Sequence, residues 1–167
     1  MKKTLSILAL SALPVLAWAA GGHISGHDAE PTHGHDMSGM SQGDTPVGRP
    51  GDASKVSRTV AITMDDTMRF TPAQIDVEPG ATVRFLVKNT GKLPHEMVIG
   101  SAVDLTEHAA MMRKNAEMQH AEPNMITLAP GQNGAIVWEF SEAGTVDFAC
   151  LVPGHMEAGM VGRIKVA

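Results

Sequence analysis

Short runs of alternating apolar and polar residues fill the chain from about residue 57 to its end. They are rich in Val, Ile, Phe and Thr and are bounded by Pro, Gly or Asn, which is typical of β-strands joined by tight turns. The clearest runs are SRTVAITM, AQIDVEP, ATVRFLVKN, HEMVIG, AIVWEFS, TVDFACL and GRIKVA. About seven or eight such strands at this spacing predict an all-β domain, a Greek-key β-sandwich with its loops gathered at the two ends.

One segment interrupts the β pattern. Residues 104–123, DLTEHAAMMRKNAEMQHAEP, consist of helix formers, begin with an Asp-x-x-Glu cap pattern and end at Pro123. We therefore predict a short helical insert. At helical spacing the small and apolar residues of one face form a stripe that should face the core: Leu105, Ala109, Met112 and Ala116.

The N-terminus has the features of a signal peptide. Two lysines precede an apolar run, and Ala17-Trp18-Ala19 fits an A-x-A cleavage site. A membrane anchor is the alternative, but Pro14 and the short run, compared with about 20 residues for a span, favour cleavage. We predict that residues 1–19 are removed, that the mature chain begins at Ala20, since Trp18 disfavours a cut one residue later, and that the protein is periplasmic.

Residues 20–54 are poor in large apolar side chains and rich in Gly, Asp, Ser and Pro. Such a segment cannot bury enough apolar area to offset the entropy of ordering, so a disordered tail is expected. Its histidines and methionines either are incidental in a solvated linker or bind metal, and their density favours metal binding. The candidates are His23, His27, His33, His35, Met37 and Met40.

The amino-acid composition limits the classes of function that the protein can have. The 167 residues include twelve Met, eight His, one Cys and no Tyr, and thioethers and imidazoles are ligands suited to copper. Removing the two signal-peptide lysines leaves 13 − 2 = 11 basic against 18 acidic residues, a net charge near −7. This negative charge argues against nucleic acid as a binding partner.

The length of the chain is consistent with a single folded domain, which we place at residues 55–167. We expect a monomer with no membrane span after cleavage, and no enzyme, because no nucleophile or substrate pocket is evident.

The single cysteine lies in CLVPGHMEAGM, residues 150–160. Exported proteins usually pair their cysteines, so Cys150 is buried and inert, paired with another chain, or bound to something that protects a thiolate. A blue-copper site needs two imidazoles and one thiolate near a plane, with a weak axial thioether. Cys150, His155 and Met160 supply three of these four, and Pro153-Gly154 supplies the necessary tight turn. The second imidazole should come from another loop, and His95, at the start of a predicted strand, is placed for this role.

With these motifs, residues 57–167 resemble the cupredoxins, the plastocyanin and azurin type of small copper protein. The resemblance implies that His95, Cys150 and His155 are equatorial ligands of one type 1 copper and that Met160 is the axial ligand. Met156, adjacent to His155, is a poor axial candidate. Many relatives carry Asn after the first ligand histidine where this chain has Glu96, and the helical insert is absent from the smallest members.

The helical insert and the N-terminal tail help to distinguish between possible functions of the protein. His108, Met111 and Met118 share one face of the predicted helix; they either cover the copper end as an apolar patch, bind further copper, or dock a partner. Bacterial copper-tolerance cupredoxins carry His- and Met-rich tails, so the resemblance favours copper handling and tolerance. Electron transfer by a shuttle cycling between Cu(I) and Cu(II) with a redox partner is the alternative, and delivery of copper to another protein shares features of both.

Overall fold

The computed structural model describes residues 46–115 and 121–167. These residues form ten strands, one α-helix and a short 3-10 turn at Ala53–Lys55. In chain order the elements are β1 Arg49–Pro50, β2 Arg58–Asp65, β3 Arg69–Thr71, β4 Gln74–Val77, β5 Thr82–Asn89, β6 His95–Gly100, α1 Ala102–Lys114, β7 Met125–Leu128, β8 Asn133–Glu139, β9 Gly144–Ala149 and β10 Val161–Val166.

The strands form two five-stranded sheets, ordered β1-β8-β5-β2-β3 and β4-β10-β9-β6-β7. One parallel pair occurs in each, β2 with β5 and β4 with β10. Their facing sides share one core, in which Phe70 and Phe148 meet edge to face with ring centroids 5.0 Å apart. The predicted all-β sandwich is confirmed, and the predicted strand segments coincide with seven of the described strands. The short strands β1, β3 and β7 were not predicted.

Burial follows the sequence pattern of each strand. In β10 exposed and buried residues alternate along the whole strand, as expected when one face covers the core and the other meets solvent. Strand β6 differs, because all six of its residues are buried. Its inner face joins the main core, and on its outer face Val98 packs in a second cluster with Leu105 and Ala109 of α1. The helix therefore covers the strand that begins at His95.

The helix is displaced from its predicted position. It begins at Ala102 and ends at Lys114, whereas the prediction was 104–123. Ser101 is the N-cap, and its Oγ accepts a hydrogen bond from the Asp104 N–H at 3.1 Å. Asp104 thus occupies the third helical position and is not the cap. Leu105 and Ala109 are buried as predicted, Met112 is half-buried, and the predicted stripe residue Ala116 lies outside the described residues.

Residues N-terminal to the predicted domain start at 55 also pair with the sandwich. Strand β1 pairs with β8, and the Trp138 indole Nε1 donates to the Val47 carbonyl at 2.7 Å. Arg49 forms an ion pair with Glu139 at 2.6 Å. Amino-acid composition cannot predict tertiary pairing of this kind, and here it predicts only a polar linker. Residues 20–45 of the predicted tail and the predicted signal peptide 1–19 lie outside the described residues. No described helix is long and apolar enough to cross a membrane.

Candidate metal centre

The candidate ligands come from neighbouring strands at one end of the second sheet. His95 is the first residue of β6, and Cys150 directly follows β9. The two strands pair antiparallel, with Val98 opposite Ala149. This register places the start of β6 beside the end of β9, so the imidazole and the thiol come together although 55 residues separate them in the chain.

Residues 150–160, here called the ligand loop, fold back on themselves. Gly154 has φ +88°, a left-handed conformation that glycine adopts without strain. The His155 N–H donates to the Val152 carbonyl, and the Met160 N–H donates to the His155 carbonyl, both at 3.0 Å. The Cys150 N–H in turn donates to the Met160 carbonyl at 3.0 Å, which closes the loop. The predicted Pro-Gly turn is therefore present.

The loop brings two candidate ligand atoms together, and His95 completes a cluster. Cys150 Sγ and His155 Nδ1 lie 3.3 Å apart. One ligand atom each from His95, Cys150 and His155 lies within 4.8 Å of the others. Both His95 and Cys150 have no exposed surface, whereas His155 is half-buried. The two imidazole centroids are 5.0 Å apart, with the rings tilted by 52°. One imidazole thus faces solvent and the other is enclosed.

His95 Nδ1 is buried and has no hydrogen-bond partner among the residues that the structure describes. A buried polar atom normally has a partner, so an unpaired one beside a thiol and a second imidazole calls for an explanation. Two nitrogens and one sulfur in this arrangement are the equatorial donor set typical of a blue-copper site. The residues present therefore fit a copper ion.

Burial dominates the electrostatics of the thiol. It raises the pKa of Cys150 from 9.0 to about 11, because the low-dielectric interior disfavours a thiolate. Hydrogen bonds from the backbone N–H groups of Glu96 and Val152 act in the opposite direction, and the charge of Glu96 adds a smaller increase. The Glu96 N–H lies 3.3 Å from Sγ. Burial also lowers the pKa of His155, with a further decrease from the nearby His95.

Met160, the predicted axial ligand, is completely buried and belongs to the same core cluster as Cys150. Met156 is half-buried and packs instead against the smaller cluster beneath α1. The two methionines of the ligand loop therefore have different environments, and the described structure brings Met160 to the core side of the candidate site.

Glu96 occupies the position where many cupredoxins have Asn. It is buried, and its side chain accepts a hydrogen bond from Thr127 Oγ1 at 2.8 Å across the β6–β7 pair. This bond joins β6 to β7, not to the ligand loop. The link from Glu96 to the ligand loop is instead made by its backbone N–H, which donates to Cys150 Sγ.

Sequence analysis missed the residue that contacts His95 from the far side. Asp66 lies in the turn between β2 and β3, and its Oδ1 is 3.1 Å from His95 Nε2. Nothing in the local pattern marks this carboxylate, because its partner is 29 residues away. The best signal is the pair Asp65-Asp66 in a tight turn, which is as typical of a solvated turn as of a functional contact.

The auxiliary candidates are less well defined. His108 is half-buried on α1, and Met111 is 37% exposed. They are not part of the His95, Cys150 and His155 cluster. The remaining auxiliary candidates lie outside the described residues: Met118 in the insert, and His23, His27, His33, His35, Met37 and Met40 in the predicted tail.

Comparison with known proteins shows which family and which relatives the chain is similar to. Residues 56–167 match the family of copper binding proteins described as plastocyanin/azurin. The chain is 48% identical over 162 residues to the copper-resistant cuproprotein CopI of Rubrivivax gelatinosus, covering 96% of this chain and 94% of that protein. It is 37% identical over 169 residues to the protein of the same name from Vibrio cholerae, covering 99% of each chain.

Among solved structures, the reduced auracyanin of Roseiflexus castenholzii superposes with a TM-score of 0.57 at 27% identity, covering 67% of this chain and 98% of that one. Auracyanin B gives a TM-score of 0.60 at 22% identity, covering 75% and 99%. At 22% identity, the similarity to auracyanin B shows a shared fold and nothing more. The alignments with these two solved structures cover 67% and 75% of this chain, whereas those with the two copper-resistant cuproproteins cover 96% and 99%.

Proposed function

The chain belongs to the plastocyanin/azurin family of copper-binding proteins, and on that premise we propose that it serves copper tolerance by binding copper at a type 1 site. His95, Cys150 and His155 are the equatorial ligands, and Met160 is the axial ligand. The observation that carries this assignment is the buried Nδ1 of His95, which has no hydrogen-bond partner among the described residues and lies beside Cys150 and His155. A preformed donor set of this kind needs little rearrangement to bind a metal ion.

Tolerance is favoured over electron transfer by the extent of the relationships. The relatives that align over 96% and 99% of this chain are named copper-resistant cuproproteins. Such alignments include the His- and Met-rich segment before the sandwich, which an electron shuttle does not need. In the proposed role, His23, His27, His33, His35, Met37 and Met40 bind additional copper more weakly, because imidazoles suit Cu(II) and thioethers suit Cu(I). The same role places the mature protein in the periplasm after removal of residues 1–19.

His95, Cys150, His155 and Met160 would hold the ion, and the burial of His95, Cys150 and Met160 keeps these three ligands away from water. Bound copper supplies one-electron chemistry between Cu(I) and Cu(II). Because burial raises the pKa of Cys150 to about 11, the metal-free protein carries a neutral thiol at neutral pH, and Cys150 releases one proton when the ion binds. The N–H groups of Glu96 and Val152 remain aimed at the sulfur and stabilise the thiolate. His155, partly exposed, is the ligand nearest to solvent.

The helical insert has a separate proposed role. His108 and Met111 lie on α1, which covers the outer face of β6. We assign His108 and Met111 to an apolar cover near the copper end, because thioethers adapt to irregular surfaces; the same role is proposed for Met118 from the sequence, since it lies outside the described residues. Copper binding by these three residues is the competing role, and it predicts a stoichiometry above one in a chain without the tail.

Complementation of a deletion strain tests the tolerance role. Three forms are compared: the full chain, Cys150→Ser, and a chain in which the signal peptide is followed directly by Pro46. The full chain should restore growth in excess copper, the serine variant should not, and the shortened chain should restore it in part. Respiratory electron flow should be the same with and without the gene. Full rescue by Cys150→Ser, or loss of electron flow with normal copper growth, would contradict tolerance through this site, and the second result would favour the electron shuttle.

The axial assignment has its own test. Met160→Leu should keep the intense visible absorption, because the copper-thiolate bond is retained, and should raise the reduction potential, because a weak axial ligand tunes the metal without holding it. Met156→Leu is the matched control and should leave both properties unchanged. If Met156→Leu shifted the reduction potential and Met160→Leu did not, the axial role would belong to Met156 and not to Met160.

A further inference from the structure

Asp66 accepts hydrogen bonds from three groups in residues 92–95, and the Lys92 N–H is shared between its two carboxylate oxygens. Its carboxylate accepts from the Lys92 N–H at 2.8 Å, from the Leu93 N–H at 3.2 Å and from His95 Nε2 at 3.1 Å. Residues 90–94, here called the histidine loop, thus wrap around a carboxylate supplied by a different turn. One side chain fixes both the backbone of this loop and the ring of the candidate ligand.

The histidine loop is shaped for this carboxylate. Gly91 lies so close to Asp66 that a Cβ added there would overlap Oδ1. Asn89 holds the loop from its other side: its Oδ1 accepts from the Gly91 N–H at 2.9 Å, and its Nδ2 donates to the Leu93 carbonyl at 2.8 Å. The contact with Asp66 is therefore built into the loop and is not an incidental surface pair.

We infer that Asp66 is a positioning residue of the copper centre, which fixes His95 in the tautomer that presents Nδ1 to the metal and favours Cu(II) over Cu(I). This inference rests on the proposed copper function. A carboxylate that accepts from Nε2 requires the ring proton on Nε2, which leaves the lone pair on Nδ1. That nitrogen is the buried atom without a partner in the described part of the chain.

The charge of the carboxylate matters as well as its geometry. An aspartate side chain ordinarily carries a negative charge at neutral pH, and this one accepts hydrogen bonds from the Lys92 and Leu93 N–H groups as well as from the His95 ring. An anion hydrogen-bonded to a ligand imidazole raises the basicity of that ligand. A more basic ligand stabilises Cu(II) more than Cu(I), and therefore lowers the reduction potential.

The experiment compares Asp66→Asn with Asp65→Asn. The two substitutions remove the same charge from adjacent residues, but the Asp65 carboxylate accepts from the Thr67 N–H at 2.9 Å and does not bond His95. Loss of an outer partner of a metal-bound histidine typically lowers metal affinity about 10–100-fold. If the loss falls on Cu(II), the reduction potential of Asp66→Asn should rise by about 60–120 mV, at about 59 mV per tenfold for one electron. Asp65→Asn should change affinity by less than about twofold, because the Asp65 carboxylate bonds Thr67 and not the candidate ligand.

The readouts are a redox titration followed by visible absorption and the nitrogen NMR shifts of His95 in the metal-free wild-type protein. The NMR measurement needs no variant, so it stays informative if Asp66→Asn folds poorly, and it should show the Nε2–H tautomer. An Nδ1–H tautomer, or equal potentials in both variants, would overturn the inference. A wild-type protein that gave no copper-thiolate absorption would instead refute the proposed function, which keeps the two failures apart.

Discussion

The two loops that carry the copper ligands are held in different ways. The ligand loop, residues 150–160, closes through hydrogen bonds among its own backbone groups, from Cys150 to Met160. The histidine loop, residues 90–94, depends on two side chains that lie outside it, Asn89 and Asp66. A loop of the first kind keeps its shape through local turn chemistry. A loop of the second kind is positioned by packing and by contacts remote in sequence, so single substitutions should damage it more.

The largest effect is expected for Asn89→Ala. Asn89 is fully buried, and its side chain bonds Gly91, Leu93 and, across to β7, the Leu128 carbonyl at 2.9 Å. Alanine leaves these backbone groups unsatisfied, so the free energy of unfolding should fall by about 3–5 kcal/mol. Denaturant unfolding of the metal-free protein measures this. Asn133→Ala, at an exposed position of β8, is the control and should cost less than about 0.5 kcal/mol. Equal losses would show that the histidine loop does not depend on Asn89.

Alkaline pH should act on the ligand loop through its thiol. The pKa of Cys150 is raised from 9.0 to about 11 in the folded protein, so the unfolded chain loses this proton first. The stability linked to the buried thiol is therefore fully present below pH 9.0 and is lost as pH rises toward about 11. The loss should reach about 2–3 kcal/mol in the metal-free protein. Unfolding curves at several pH values, compared with Cys150→Ala, measure it. Identical pH profiles for the two proteins would contradict the raised pKa.

Gly91→Ala tests whether the histidine loop is constrained by Asp66, because it adds a methyl group to the loop. The new methyl group would meet Asp66, and overpacking of this kind costs about 1–3 kcal/mol. In an Asp66→Ala background the same substitution should cost less, because the contacts with Oδ1 and Cγ are removed and only the contact with the Asp66 backbone N, at 3.1 Å, remains. Gly144→Ala, where a Cβ would meet nothing within 4 Å, is the control. A cost that did not decrease when the Asp66 side chain was removed would place the constraint elsewhere in the loop.

The smallest effect is expected for Arg69→Ala. Arg69 Nη1 donates to the Ala158 carbonyl at 3.0 Å and so attaches the ligand loop to β3 from outside. Because that loop closes on its own backbone, the loss of this exposed bond should lower stability by about 0.5–1 kcal/mol and leave the visible absorption unchanged. Thermal unfolding and the spectrum of the copper-loaded protein test this. A loss as large as that of Asn89→Ala would remove the distinction between the two loops.

The same contrast explains what could be predicted from the sequence. Cys150, His155 and Met160 lie within eleven residues of one another around a Pro-Gly turn, so a single segment contains most of the motif. His95 required the expectation that a second loop reaches the same end of a sandwich. Asp66 could not be found, because it is the parallel β2–β5 pairing, with Met64 opposite Asn89, that sets its turn beside the loop leading to His95.

Local signals also failed where tertiary contacts decide the structure. Strand β1 is a two-residue pairing with β8 inside a segment whose composition suggests disorder. The helix start was misplaced because Ser101 and Asp104 both suit the first turn, and the side chain of Ser101 is the one that caps it. Strand β7 begins two residues after Pro123, where the helical pattern was expected to end.

A copper titration followed by visible absorption tests the central assignment most directly. Mature wild-type protein and Cys150→Ser are titrated with Cu(II) under the same conditions. We predict an intense thiolate-to-copper absorption that saturates at one copper per wild-type chain, with any further copper binding in the tail adding no intensity. The serine variant should have no such absorption at any copper concentration. An intense band that survives in Cys150→Ser, or a wild-type protein that binds copper without one, would contradict a copper site built on Cys150.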